Sequence, residues 1–337
     1  MGVLGMVRST KPTEYSDGGI FGGPMNSGFR RLSAAVLGAL VLAGAPLPAQ
    51  SGPLVVFNAG SLAYPFKQLL DAFSRLHAGV RPMQESSGSL EAARKLTELG
   101  KIPDVLAVAD YGVIAKLLMP ARTTWYVSFA SNAMVLAYGE RSAGAKEITG
   151  GNWWRILLRP DVRWGASNPA LDPNGYRTHM VFQLAEAHYR EPGLALRLER
   201  ALRPELVRPS EAQLLALVQS GELDYAWSYQ SLARTAGLRW VDLPREVDLS
   251  DPALADWYAR VSVRLPGPRL ESKDSVEFKG EPIVYALTIP AAAPHPPLPR
   301  EFVRFVLSPA GRRILEQAGF RLPPRPAFTG AGPEVLK

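Results

Sequence analysis

The 337-residue sequence contains no cysteine. That excludes disulfides, thiolate metal sites, cysteine nucleophiles and a lipid-modified cysteine at the start of a mature chain. It suits an exported protein that does without redox-dependent staples. Histidine is scarce as well: His77, His179, His188 and His295 are the four present, and no two stand in an HExxH spacing, which argues against a zinc hydrolase. Beyond residue 49 there is no GxGxxG, no Walker A sequence, no Ser-x-x-Lys and no GxSxG elbow, since "GASNP" (165–169) lacks the closing glycine. Charge of one sign is never concentrated. Arg8, Lys11, Arg30 and Arg31 stand against Glu14 and Asp17 in the first 49 residues, so the formal net charge of +7 falls to +5 in the remainder. This mild excess reads as a solvated, arginine-rich surface. With no zinc-finger spacing or ribonucleoprotein-type aromatic motif beside it, nothing points to nucleic-acid binding.

What is present is a soluble composition, 47% hydrophobic and 20% charged, on a chain long enough for two domains with separate cores. "FRRLSAAVLGALVLAGAPLPAQ" (29–50) has two arginines, an apolar run too short for a comfortable membrane span, and a small-residue region. This is the layout of a secretory signal peptide, with cleavage expected near Ala49. Residues 1–49 are therefore set aside as a signal region. Residues 1–24 carry no export or core pattern, which makes Met25 the expected start.

From residue 53 strands and helices alternate. "LVVFNAG" (54–60) and "PDVLAVAD" (103–110) read as buried strands. Phe66, Leu69, Leu70, Phe73 and Leu76 keep helical spacing, and "SLEAARKLTELG" (89–100) reads as a helix capped by Ser89 and stopped by Gly100. This repetition predicts an α/β fold with parallel sheets covered on both faces. "WYVSFASNAMVLAYG" (125–139) is long enough to cross between lobes, a second alternating series follows it, and "PIVYALTIP" (282–290) returns. The layout predicts lobe 1 from 53–128 plus 289–337 and lobe 2 from 129–288. Residues 243–280 read as irregular with one helix around Ala253–Val261. A helix restart is expected at Ser308–Pro309.

Four polar sites share one address, where a strand ends and a helix begins: Ser61 in "NAGSL", Ser89 in "SSGSL", Asp172 in "LDPNGYR" and Ser210–Glu211 in "RPSEAQL". Helix N-termini at such junctions offer unpaired N–H groups and about half a positive charge, and open α/β sheets bind ligands there. Two junctions fall in each lobe, so closing a cleft would converge them on one small anion. Gly60 and Gly88, lacking Cβ atoms, would let a ligand approach the backbone. Each residue also reads as an ordinary helix cap or dipole partner.

With "AGSL", "GS" at 88–89, "DVLAVADY", "FASNAMVLAY", "NWWRILLRP", "DPNGYR", "GELDYAWSYQSLA" and "PIVYALTIP" in hand, the chain from about Leu54 to Phe320 resembles the periplasmic solute-binding proteins for tungstate and molybdate. The resemblance implies a two-lobed type II periplasmic binding protein fold with its ligand cleft between the lobes. It implies ligand contacts from Ser61, Ser89, Asp172, Glu211 and Tyr229, with Asp172 and Glu211 reaching the metal of the bound oxyanion. It also implies no catalysis, no cofactor beyond tungstate or molybdate, and delivery to an ABC-type permease from outside the cytoplasm, by a protein expected to be a monomer. Two departures stand beside these motifs: Leu171, where relatives often carry a second acid, and Gln230, where they usually carry Arg or Lys. Two rivals remain at this level. Tyr225, Tyr229 and Glu211 could form a ferric-iron site, since residues four apart share a strand face; a secreted hydrolase of phosphate or sulfate esters would need a nucleophile that no motif supplies. Sulfate or phosphate as the cargo also stays open.

Overall fold

The computed structural model describes residues 52–271 and 273–332; the signal region and its cleavage position lie outside them. Two mixed sheets organise the chain. The first takes β1 (Gly52–Ala59), β2 (Val80–Ser87), β3 (Val105–Val108), β4 (Trp125–Ser131), β12 (Val284–Thr288) and β13 (Ala327–Gly330), in the order β13-β4-β12-β3-β1-β2. The second takes β5 (Met134–Tyr138), β6 (Trp164–Ser167), β7 (Val207–Arg208), β8 (Tyr225–Tyr229) and β9 (Arg239–Asp242), in the order β7-β6-β8-β5-β9. The expected parallel pairing holds for part of each sheet. β1 is parallel to β2 and β3, but β12 is antiparallel to β3 and β4, and β5 is antiparallel to β8 and β9. Strands that carry the chain between sheets enter against the direction of those built by strand–helix–strand units.

"WYVSFASNAMVLAYG" is two strands, one in each sheet. The break falls at Asn132, whose Oδ1 accepts from Ala133 N at 3.0 Å and from Ser231 N at 3.3 Å. The chain therefore passes from the first sheet to the second at 132–133 and returns to the first before Val284. A strap ties both crossings: Asp248 O accepts from Met134 N and Leu249 O from Ile283 N, each at 2.8 Å. Leu249 is buried in the left-handed region at φ 58°, an unfavourable conformation for a branched side chain that these bonds hold in place.

Apolar spacing sets the cores. The Ala63–Leu76 helix buries Phe66, Leu69, Leu70 and Phe73 against the first sheet, and Phe66 and Phe73 meet the Phe302 ring at 6.2 and 5.4 Å. Leu76, expected on the same face, is exposed where the helix ends. In the second sheet Trp227 packs edge-on to Trp153 and against Phe182. Residues 243–280 are more ordered than expected. The short Ala255–Tyr258 helix is followed by an antiparallel hairpin of β10 (Ser262–Pro266) and β11 (Ser275–Lys279). The restart at Ser308 holds: its Oγ accepts from Gly311 N and opens the Pro309–Gln317 helix. No helix among the described residues is long and apolar enough to cross a membrane.

Candidate functional site

Every junction singled out from the sequence lies where a strand hands over to a helical turn, but the side chains are used differently from simple caps. Asp172 is the N-cap of the Pro173–Tyr189 helix, and its Oδ1 accepts from Asn174 N at 3.0 Å. Its Oδ2 accepts from Glu211 N at 3.1 Å, at the start of the Glu211–Ser220 helix. One carboxylate thus serves two helix N-termini, and Ser210, in the capping position of the second, makes no side-chain cap bond. Gly175 allows this convergence. A Cβ there would lie 2.3 Å from Ser167 O, so only glycine lets the helix start so close to the end of β6.

Glu211 is anchored through Oε1, which accepts from Ser228 Oγ at 2.8 Å and Tyr229 N at 2.6 Å; among the described residues Oε2 takes no hydrogen bond. Both acids are almost fully buried, at 5% and 2% exposure. Burial pushes the Asp172 carboxyl up to about 6 against the pull of its two backbone donors and of Arg177. Burial, then the charge of Asp172, raises Glu211 well above the usual carboxylate range. Two acids sharing a dry site disfavour double ionisation, as like charges in low dielectric must.

Ser89 is not the cap it was expected to be. Gly88 holds the cap position without a side-chain bond, and Ser89 Oγ accepts from Ala109 N at 3.0 Å. Ser61 does not cap either; its Oγ lies 2.9 Å from the Tyr285 hydroxyl. Tyr229 ends β8 fully buried, and its hydroxyl accepts from Arg177 Nη1 at 2.8 Å. Arg177 connects the parts. It also donates to Ala109 O at 2.8 Å and pairs with Asp110 at 2.9 Å. Burial alone would lower its pKa, but Tyr229, Asp110 and Tyr176 more than reverse that, so it stays a cation. Ser89, Ala109, Arg177, Tyr229, Glu211 and Asp172 thereby form one bonded chain across both lobes. Ser61 joins it through Tyr285, whose ring stands edge-on to Tyr229 at 5.9 Å.

Arg177, Asp110, Tyr285 and Ser228 were not singled out from the sequence. Asp110 had the available signal, since "ADY" closes a strand and opens a turn at the same kind of junction, and its Oδ1 accepts from Gly112 N. Arg177 stood inside the quoted "DPNGYR". The Tyr225 of the ferric rival is elsewhere: its hydroxyl donates to Ala143 O at 2.6 Å. Four residues of strand put it about 13 Å along β8 from Tyr229, too far for one ion. Gln230 faces away from the site toward Asp242 and Arg321.

Residues 54–321 match the family model described as bacterial extracellular solute-binding protein. The chain belongs to this family. An uncharacterised solute-binding protein of Petrotoga mobilis is 44% identical over 269 residues, covering 80% of this chain and 83% of that one. The molybdate/tungstate-binding protein WtpA of Pyrococcus abyssi is 36% identical over 314 residues, covering 86% and 90%. Among solved structures, the periplasmic molybdate-binding protein of Azotobacter vinelandii superposes with a TM-score of 0.55 at 16% identity, covering 80% of this chain and 99% of that one; at that identity the likeness speaks for the fold. The fold is the two-lobed one of that structure, and the bonded chain from Ser89 to Asp172 joins elements of the first sheet to elements of the second.

Proposed function

We propose that the protein captures tungstate or molybdate outside the cytoplasm and hands it to an ABC-type permease, as a monomer, with no catalytic step and no cofactor beyond the anion. Its relative's binding of molybdate and tungstate supports this reading, and one observation carries it. Two acids, Asp172 and Glu211, are buried side by side where the lobes meet, joined by the bond that the Glu211 backbone N–H donates to the Asp172 carboxylate. A plain tetrahedral dianion gains nothing there. The one buried cation in the network, Arg177, is already paired with Asp110, and each nearby carboxylate repels a dianion by about 1 kcal/mol or more even under strong screening. Tungsten and molybdenum in their highest oxidation state accept oxygen donors beyond four, whereas sulfur in sulfate does not. Asp172 and Glu211 then act as metal ligands, with the unbonded Oε2 of Glu211 as one donor, while Ser61, Ser89 and Tyr229 border the oxo groups. Anions without an expandable centre are rejected by uncompensated repulsion. The two lobes move about the crossings at 132–133 and 283–284.

The raised carboxyl pKa values favour a second reading. Protonated acids could donate hydrogen bonds to phosphate or sulfate in a general oxyanion site. Calorimetric titration separates the two. Tungstate and molybdate should bind far more tightly than sulfate and phosphate; comparable affinity for all four would favour the general site, and no binding of either metal oxyanion would end the proposal.

A further inference from the structure

One helix of the first lobe grips the second along a single face. Leu90 N and Glu91 N, at the start of the Ser89–Thr97 helix, both donate to Leu171 O, at 3.1 and 3.2 Å. One turn on, Arg94 donates to Ala170 O through Nη1 and to Pro266 O and Gly267 O through Nη2, the latter two at 3.1 and 3.4 Å. At the helix end Thr97 Oγ1 donates to Pro268 O at 2.7 Å, and Glu98 Oε1 accepts from Leu270 N at 2.5 Å. Positions 90–91, 94 and 97–98 are successive turns of one helical face. Their partners are the two residues just before Asp172 and the loop of the β10–β11 hairpin.

Two features mark this contact as built. Gly88 fits it only as glycine: a Cβ would stand 2.2 Å from Leu171 O and 2.8 Å from Leu171 C, both backbone atoms that cannot swing away. The space expected to admit a ligand is filled by the other lobe. Arg94 is 5% exposed, has no carboxylate within ion-pair distance among the described residues, and keeps Nε without a hydrogen-bond partner. Burial lowers the Arg94 pKa against the pull of the Glu98 charge, and a guanidinium whose bonds all go to carbonyls loses hydration that it regains when the lobes part. Its bonds keep part of the ligand-free population closed, and that regained hydration keeps the rest open.

We propose that Gly88 and Arg94 form an interlobe latch that sets how long the closed protein holds its ligand. Neither residue touches the anion; both position the 170–172 segment that carries Asp172. The proposal rests on the oxyanion-binding reading for the identity of its ligand. The latch itself is a property of closure.

Gly88→Ala is the sharp test, because φ −60° and ψ 145° suit any residue, so the parted lobe accepts the methyl group and only closure is obstructed. Small-angle scattering should show a smaller radius for the wild type with tungstate, and the open radius for Gly88→Ala with or without it, at unchanged ligand-free melting temperature. Equal contraction of both chains overturns the latch. If the wild type ignores tungstate and molybdate, the ligand-free radii decide: a wild type smaller than Gly88→Ala keeps the latch and discards the oxyanion reading, and equal radii discard the latch. Arg94→Ala should leave the tungstate on-rate unchanged and raise the off-rate about tenfold or more, with Arg94→Lys in between. A change confined to the on-rate, or no change, speaks against Arg94.

Discussion

Closure without ligand should depend on pH, because it takes Asp172 and Glu211 out of water. Parting the lobes would return water to Asp172 and let its carboxyl fall toward the ordinary 3.8, whereas burial here pushes it up to about 6. At about 1.4 kcal/mol per pH unit, the part of that difference lost between pH 5 and pH 8 is worth about 1.4 kcal/mol, or about tenfold in the ratio of closed to open molecules. The closed form enjoys the whole difference below 3.8 and loses it as pH rises through about 6. Glu211 moves in the same direction, with burial first and the charge of Asp172 second among the causes. Arg177 pulls Asp172 the other way and Glu91 pushes it further up, but neither outweighs burial. Small-angle scattering of the ligand-free protein should therefore give a smaller radius at pH 5 than at pH 8. Combining Asp172→Asn with Glu211→Gln should flatten that dependence, and tungstate should restore the compact form at pH 8. A wild-type radius equal at both pH values, or a double variant with the same slope, would refute the reasoning.

Further outcomes follow from the same geometry. Asp172→Ala and Glu211→Ala should each weaken tungstate binding in calorimetry, and the Asp172→Asn, Glu211→Gln pair should narrow the gap between tungstate and sulfate; an unchanged gap would remove the carboxylates from the selectivity. Tungstate or molybdate at a thousandfold excess over Kd should stabilise the fold by about 4 kcal/mol, seen as a raised Tm, with sulfate far behind. Arg177→Met strands the buried charge of Asp110 and should destabilise the protein by about 3–5 kcal/mol in denaturant titration; a loss below 1 kcal/mol would contradict its central role in the network.

Much of the fold was legible because its signals are local. "LVVFNAG" closes a strand with glycine, Phe66 to Phe73 mark one helical stripe, and Ser308–Pro309 restarts a helix through a real cap. The hairpin of Ser262–Pro266 and Ser275–Lys279 was missed because its strands are short and bury only Leu265 and Phe278 fully, so neither alternation nor an apolar run announced it. The break at Asn132 was hidden because one side-chain amide, not a turn residue, ends β4. At the site, strand-to-helix junctions located Ser61, Ser89, Asp172 and Glu211. The bond from Glu211 N to Asp172, the use of Gly88 by Leu171 and the placement of Arg177 depend on contacts between distant segments. No spacing encodes such contacts.

Contact between the carboxylates and the metal is tested most directly by X-ray absorption at the tungsten edge of the tungstate-loaded protein. Four oxo groups with one oxygen each from Asp172 and Glu211 predict about six oxygen neighbours around tungsten, falling toward four in the Asp172→Ala variant. A regular tetrahedron of four oxygens in the wild-type protein would contradict the assignment and leave both acids as partners of helix N-termini.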